Sequence, residues 1–351
     1  MRHHTLTRVL ALAALVVAAG VLGSGGIATA HAQGETPTCQ DTGFADMTAA
    51  VVNPSRPVTG TVNASGCDIG VFYGHNTRGT VTHANISGAT AFGVVVAGAN
   101  VTITNSSVTN IPGASGGHED MEGVVSSNAE GSGEGGEFGY IGSKHGTGIL
   151  VTDGGKSTIS GNYVASYGRR GISVSGPGAR ATISGNTIVG RGGLTGQGLM
   201  GQSGVWIANG GYATISGNTI SNNLIIGSGP ASNAVMVAGG SAHNGQPNYT
   251  TGIQISGNVL RNNAVGVLLS NNPVPGTPTN NRVIGNTISL NVSVPTLSDE
   301  SGESGKLPAG IQDAGGNRDR IDGNYITGYG ERSLIISEQC INVAAHGNTI
   351  G

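Results

Sequence analysis

Two short patterns of apolar and polar positions alternate along most of this chain. The first places apolar residues on both sides of a Ser-Gly-Asn corner, as in Ala181-Thr-Ile-Ser-Gly-Asn-Thr-Ile188. The second is a small residue followed by apolar–any–apolar, as in Gly171-Ile-Ser-Val174. Period-2 alternation of β-branched residues predicts strands, and the Gly and Asn between them predict turns. We therefore predict an all-β chain of short strands.

The spacing of the Ser-Gly-Asn corners indicates how these strands are arranged. Each corner contributes one Asn, and the series is Asn162, Asn186, Asn218, Asn258, Asn286, Asn324 and Asn348. Successive members are 24 to 40 residues apart, which is a constant minimum with insertions of variable length. Such recurrence is typical of a solenoid whose turns stack on one another. We predict a right-handed parallel β-helix of about nine to ten coils, because hairpin sandwiches do not predict this recurrence.

The recurring Asn has a physical explanation within such a stack. We expect the residue that follows Gly at the corner to adopt the left-handed conformation, which Asn tolerates. Asn amides at one position of successive coils can also hydrogen-bond along the axis as a ladder. Both roles are structural rather than catalytic.

The second pattern leaves one residue of each strand facing outward, and we call this series the outward stripe. Its members are Phe72, Val95, Leu150, Ser173, Trp206, Met236, Leu268, Gln312 and Ile335. Seven of the nine are apolar, whereas a solvated face would be polar. Three interpretations stay open: inserted loops cover the stripe, polysaccharide binds along it with Trp206 as a stacking platform, or it is an assembly contact.

Polar and basic residues lie just before these strands and suggest chemistry beside the stripe. Stacking would place Arg169 and Arg170 between His145 on one coil and Gln202 on the next. Acidic polysaccharides need cations, and β-elimination needs a base together with a group that neutralises the carboxylate. The catalytic candidates are Arg170, Arg169, His145 and Lys144, and the binding candidates are Trp206, Met236, Leu150 and Gln202. The alternative is that these cations are only solvated corners.

The pattern fails between residues 111 and 145, where an insertion is rich in Gly, Ser and acidic residues. Glu119 and Asp120 are the candidates here for binding a metal ion, and Ca²⁺ is the cofactor that would suit carboxylate ligands. A flexible loop without any ligand is the simpler interpretation. Shorter insertions precede or follow other strands of the second pattern, so loops are expected to form walls along one face.

The chain divides into three parts. Residues 1–32 have a basic start and a short apolar run, which is the pattern of a secretory signal, so we expect a secreted protein without a membrane anchor. Residues 33–57 are expected to be an irregular capping segment, and residues 58–351 the β-helix. The last repeat would expose unpaired backbone groups, and we expect that end to stack on another chain or on a missing segment.

Composition and cysteines narrow the possibilities further. The chain has 351 residues, 10% charged, with a net charge of −3, which gives no reason to expect nucleic acid or an anionic membrane as partner. Cys39 and Cys67 both lie near the N-terminus and are expected to form a disulfide in an exported protein. Cys340 would lie roughly 40 Å away along the stack, so it is a buried free thiol or pairs with something outside this chain.

The Ile-Ser-Gly-Asn-Thr-Ile coils resemble the parallel β-helix repeats of the pectate-lyase-like fold over about residues 58–351. The run Gly66-Cys-Asp-Ile-Gly-Val-Phe-Tyr73 is similar to secreted bacterial β-helix proteins whose activity is generally unassigned. The resemblance implies a superfamily of polysaccharide lyases, hydrolases and epimerases, but it implies no particular activity. Gly117-His-Glu-Asp120 departs from the Asp-Pro-His-Asp pattern of the mannuronan epimerases, and no catalytic residue is carried over from it.

Overall fold

The structure is a computed structural model, and it describes residues 37–113, 145–193, 201–224, 232–239, 242–243, 246–247, 249–271, 277–292 and 308–351. The described residues form strands almost throughout, with one three-residue 3₁₀ helix at Gly330–Arg332. The predicted signal at 1–32 and most of the predicted insertion at 111–145 lie outside these ranges.

Two long sheets contain nearly all of these strands. The eleven strands of the first sheet are β1 (Gln40–Asp41), β2 (Thr48–Val52), β4 (Ile69–Tyr73), β6 (Phe92–Ala97), β9 (Thr147–Thr152), β12 (Arg170–Ser175), β15 (Ser203–Ala208), β18 (Asn233–Gly239), β23 (Val265–Asn271), β26 (Ala309–Asp313) and β29 (Leu334–Ile336).

The second sheet has eighteen strands and runs beside the first. They are β3 (Val58–Asn63), β5 (Arg78–Ser87), β7 (Asn100–Thr104), β8 (Ser107–Ile111), β10 (Lys156–Ser160), β11 (Tyr163–Tyr167), β13 (Arg180–Ser184), β14 (Thr187–Val189), β16 (Tyr212–Ser216), β17 (Thr219–Ser221), β21 (Gln254–Ser256), β22 (Val259–Arg261), β24 (Arg282–Ile284), β25 (Thr287–Ser289), β27 (Arg320–Asp322), β28 (Tyr325–Thr327), β30 (Ala344–His346) and β31 (Thr349–Ile350). A separate antiparallel pair joins β19 (Ala242–His243) to β20 (Gln246–Pro247).

Successive coils stack in parallel, as the spacing of the corners predicts. In the first sheet Ile172 is aligned with Ile149 on one neighbouring coil and with Val205 on the other. In the second sheet Ile183 is aligned in the same way with Ile159 and Ile215. The prediction of a parallel β-helix, in which residues about two dozen apart become vertical neighbours, is confirmed.

The apolar residue of each repeat points into the solenoid and forms a single continuous core. Ile159, Ile183, Ile215 and Ile255 are all completely buried within it. Burying one such side chain stabilises the fold by about 1.5–3 kcal/mol, so no coil is stable unless its neighbours cover it.

The predicted Asn ladder is present, and it runs along the whole series of corners. In a typical step, the backbone N–H and the side-chain Nδ2 of Asn186 both donate to Oδ1 of Asn218, each at 2.9 Å. The Nδ2 of Asn186 also donates to the carbonyl of Ile159 on the preceding coil. Each amide therefore satisfies buried backbone groups that would otherwise lack a partner.

The predicted conformation at the corner was wrong by one residue. Gly185 and Gly217 have φ of 63° and 62°, whereas the ladder Asn that follows each of them keeps a negative φ. At the equivalent corner of an earlier coil Asn105 takes the Gly position with φ of 47°, and Ser106 takes the ladder position. Gly is therefore the residue that makes the turn, and Asn is free to serve the ladder.

The cysteines follow the predicted pairing. Cys39 and Cys67 form a disulfide with their Cα atoms 5.5 Å apart. Cys340 is a free thiol, although it is partly exposed rather than buried as expected. The N-terminal segment is also more regular than expected, because β2 joins the first sheet in parallel with β4, and β1 pairs antiparallel with β2.

Candidate functional site

The outward stripe exists as a column of neighbouring side chains on the first sheet. Leu150 on β9, Ser173 on β12, Trp206 on β15 and Met236 on β18 are aligned on four successive strands. Leu268 and then Gln312 continue the column on β23 and β26. The sequence therefore identified these vertical neighbours correctly.

The N-terminal part of the stripe is covered rather than open. Phe72, Val95 and Leu150 are buried in a second apolar cluster that also contains Met47. Phe44 from the N-terminal segment packs against Phe72, with ring centroids 5.7 Å apart. Phe44 of the N-terminal segment thus covers Phe72, and burial of all three side chains leaves a ligand no access to the first coils of the stripe.

Trp206 is the member of the stripe that combines partial exposure with a charged neighbour. The guanidinium carbon of Arg170 lies 4.3 Å from the centre of the indole ring, from the adjacent coil. This cation–π contact fixes the position of both side chains. The guanidinium also occupies one face of the indole ring, so that face is not open to a sugar. The main role of the ring is then to hold the guanidinium at the edge of the stripe.

His145 lies close to the two arginines, as the stacking argument predicts. Burial lowers the pKa of its imidazole, and the nearby positive charges of Arg169 and Arg170 lower it further, to about 4. The ring is therefore neutral at physiological pH and has a nitrogen that can accept a proton. The structure thus brings three of the four catalytic candidates together, whereas Lys144 lies outside the described residues.

The remaining binding candidates are placed less favourably for a ligand. Gln202 is completely buried: its Oε1 accepts the Arg191 N–H at 2.8 Å, and its Nε2 donates to the carbonyl of Tyr167 at 2.7 Å. Its amide thus holds the backbone of neighbouring coils together. Leu150 and Met236 are also buried, so neither offers a broad surface.

The proposed metal ligands cannot be placed, because Glu119 and Asp120 lie outside the described ranges. Among the residues that the structure does describe, no group of three or more His, Cys, Asp or Glu side chains is arranged to hold a metal ion. A search for bilayer-spanning helices in the same part of the chain finds no helix of sufficient length and apolarity.

Two buried polar features escaped the sequence analysis. Asp313 takes a core position of β26, aligned with Leu269 and Ile336, and Asp319 lies nearby and is also buried. A second, shorter amide ladder joins Asn223 to Asn263, with Nδ2 donating to Oδ1 at 2.9 Å. The sequence does contain a signal for the buried Asp313: in Gly310-Ile-Gln-Asp313 an acidic residue replaces the apolar residue that ends the second pattern.

Comparison with known families agrees with this geometry. Residues 128–304 match a family described as a right handed beta helix region, which is just over half of the chain. The chain belongs to the right-handed β-helix family. A search of curated proteins returns no match. Membership in the right-handed β-helix family establishes the fold, whereas the function must be argued from the residues of the site.

Proposed function

We propose that this right-handed β-helix protein is exported and binds acidic polysaccharide beside the outward stripe, at Arg170 and Trp206. The observation that carries the proposal is the guanidinium held 4.3 Å from the indole centre on a partly exposed part of the sheet. A positioned Arg suits the planar carboxylate of a uronate, and the exposed part of an aromatic ring suits the apolar side of a sugar. The Cys39–Cys67 disulfide supports an oxidising location.

The first experiment is a glycan array, followed by titration of the protein with the acidic glycans that bind. Arg170→Gln and Trp206→Ala should each weaken binding by about tenfold, which is the loss expected for a charge-assisted contact. Arg261→Gln, which removes an exposed cation on the second sheet, is the matched control and should have little effect. Equal effects of all three variants, or the absence of any acidic glycan ligand, would overturn the proposal.

A second candidate function is cleavage of the same polysaccharide by β-elimination. The observation that favours it is a neutral His145 close to the partly exposed Arg170, which is a base near a group able to neutralise a uronate carboxylate. Arg169 is buried and does not offer its charge to a ligand directly. Elimination introduces a double bond, so uronate polymers should yield product absorbing at about 235 nm, assayed with and without Ca²⁺. A wild-type protein that binds uronate but forms no such product would leave binding as the function.

The alternative is a rigid surface or assembly module without a polysaccharide ligand. The covered N-terminal part of the stripe favours it, because Phe72, Val95 and Leu150 are inaccessible. Under this alternative, array binding is absent and the protein self-associates or captures a partner through the exposed last coil. Analytical ultracentrifugation over a range of concentrations separates the two outcomes.

A further inference from the structure

Charge is distributed unequally between the second sheet and the rest of the chain. The strands of that sheet contain six Lys or Arg residues and one acidic residue, Asp322, in a chain with 19 acidic and 16 basic residues. The six are Arg78, Lys156, Arg180, Arg261, Arg282 and Arg320, and all are exposed. The outer face of the second sheet is therefore basic, although the chain as a whole is slightly acidic.

Register places five of these six cations in two neighbouring columns. Lys156 is aligned with Arg180, and Arg78 stands at the same position two coils before Lys156, with Asn100 between them. Tyr212 follows Arg180 in this column. The neighbouring column lies two residues further along each strand and contains Gln254, Arg282 and Arg320.

We call these two columns together the basic track, which runs from Arg78 on β5 to Arg320 on β27. It crosses eight successive coils, which at about 4.8 Å per coil is roughly 34 Å. Each coil contributes a cation, an amide or an aromatic ring. These are the side chains that bind carboxylates, hydrogen-bond to hydroxyl groups and pack against sugar rings.

Within the described residues, one cation of the track is paired with an acidic side chain. Arg320 forms an ion pair with Asp322, but Arg78, Lys156 and Arg282 form none with an acidic residue in the described ranges. The guanidinium of Arg180 lies 5.3 Å from the ring centre of Tyr212. Exposed hydroxyl side chains, Thr102, Thr158 and Thr182, stand beside the cations at the next outward position.

We infer that the basic track binds a linear uronate polysaccharide lying along the solenoid axis. Cations repeated along a straight, rigid support complement a polymer that carries a carboxylate on its repeating units. The Thr hydroxyls provide donors and acceptors for sugar hydroxyls. Single-stranded nucleic acid is the less suitable polyanion, because its binding sites combine basic residues with several aromatic rings for base stacking, and this track has one.

This surface is separate from the outward stripe, because it lies on the other sheet. The inference therefore does not depend on the function proposed for Arg170 and Trp206. It also gives the track a role that requires no catalysis: a polymer held along eight coils would be retained by several contacts at once.

The test is titration of the full chain with size-fractionated polygalacturonate at low and at physiological salt. Lys156→Gln combined with Arg180→Gln should weaken binding by about tenfold and reduce its salt dependence. The matched control is Arg191→Gln combined with Arg261→Gln, which removes the same charge from exposed positions outside the basic track. All four side chains are exposed, so thermal unfolding should be nearly unchanged in both double variants.

Several outcomes would overturn the inference. Equal loss in both double variants would mean that only net charge matters, and binding of neutral dextran at similar strength would mean that charge does not matter. Tighter binding of an oligodeoxynucleotide of equal charge would assign the track to nucleic acid. Trp206→Ala provides the separation from the proposed function: it should leave track binding intact, and loss of binding in that variant alone would place polygalacturonate on the first sheet.

Discussion

At the scale of single residues, the ladder Asn residues hold the corners of the solenoid together. Asn218 is completely buried, and its Oδ1 accepts both the backbone N–H and the Nδ2 of Asn186. Its own Nδ2 donates to the carbonyl of Ile183 at 2.9 Å and to Oδ1 of Asn258 at 3.0 Å. One side chain thus links three coils, which explains why Asn recurs at this position.

Removing one ladder amide should be costly. Asn218→Ala leaves donors of Asn186 and acceptors of Ile183 and Asn258 buried without their partner, so we expect a loss of about 3 kcal/mol in the free energy of unfolding. The measurement is the urea midpoint. Asn85→Ala, at an exposed position of β5, is the control and should change stability by less than about 0.5 kcal/mol. A similar, small change in both variants would contradict a stabilising ladder.

The buried acids near the C-terminal end make stability depend on pH. Burial raises the pKa of Asp313, whose Oδ1 accepts the Gly316 N–H at 2.7 Å, and burial raises the pKa of Asp319 to about 6. Cys340 contacts Asp313, and burial raises the pKa of its thiol to about 11, so the thiol stays neutral. Both carboxyl pKa values are higher in the folded chain than in the unfolded chain. The contribution of these groups to stability is therefore fully present below the pKa of the unfolded chain, and it is lost as pH rises through the pKa of the folded chain.

We therefore expect Asp319 to lower stability by about 3 kcal/mol as pH rises from about 4 to 7. The lowered pKa of His145 acts in the opposite direction over the same range, so the effect of the acids is measured as a difference between wild type and variant. Asp313→Asn cannot ionise and keeps an acceptor for Gly316, so it should be more stable than wild type at pH 7.5 and show a flatter profile. The check is the urea midpoint at several pH values. Asp153→Asn, in a turn far along the chain, is the control. A stability advantage of Asp313→Asn over wild type that does not grow as pH rises would contradict the sign.

At the scale of elements, the small residue that opens each strand of the second pattern allows the coils to approach closely. A Cβ at Gly171 would lie 2.5 Å from the Gly204 carbonyl oxygen and 2.7 Å from Cγ2 of Ile188. The first contact is with the backbone of the next coil, and the second is with the core. Gly is therefore required here by space and not by a left-handed conformation.

Gly171→Ala should destabilise the protein by roughly 2–3 kcal/mol, because relief of the contact must displace a neighbouring strand. Gly193→Ala is the matched control, since a Cβ there meets no atom within 4 Å and its φ is not in the left-handed region. Thermal unfolding of the two variants provides the comparison. Equal midpoints would show that the strands can shift without cost.

At the scale of the whole molecule, the two ends of the solenoid differ. The N-terminal end is tied by the Cys39–Cys67 disulfide and covered by Phe44 and Met47. At the other end the last coil leaves Ile336 and Ile350 exposed, at 40% and 55%. Because each coil of a solenoid is stabilised only by its neighbours, stability should vary along the axis.

Hydrogen exchange should reveal this gradient. Amides of β29, β30 and β31 should exchange before those of the central strands β12 and β15, and the amides of β2 should become less protected when the disulfide is reduced. Mass spectrometry of peptic fragments measures both effects, with the oxidised protein as the control for reduction. Uniform exchange along the axis would mean that the solenoid opens as one cooperative unit.

Most of the fold could be predicted from the sequence, because stacking turns a repeat such as Ile159, Ile183 and Ile215 directly into spatial neighbours. The same register gave the Arg170–Trp206 neighbourhood. What covers the stripe could not be predicted, since the path of Phe44 over Phe72 depends on a segment without a repeat. The burial of Gln202 was not predicted, because a polar side chain next to a strand is expected to be exposed. Only the structure shows the backbone groups of neighbouring coils that its amide binds.

The common register from coil to coil has a consequence for the length of the molecule. Since Asn186 and Asn218 occupy equivalent positions and make equivalent bonds, the chain between them is a removable module. Deleting residues 187–218 would bring two matching coil surfaces together, and the strands of the shortened solenoid would pair in the same register across the junction. Such a protein is therefore lengthened or shortened by whole coils, and the distance along the axis between two sites changes in steps of one coil.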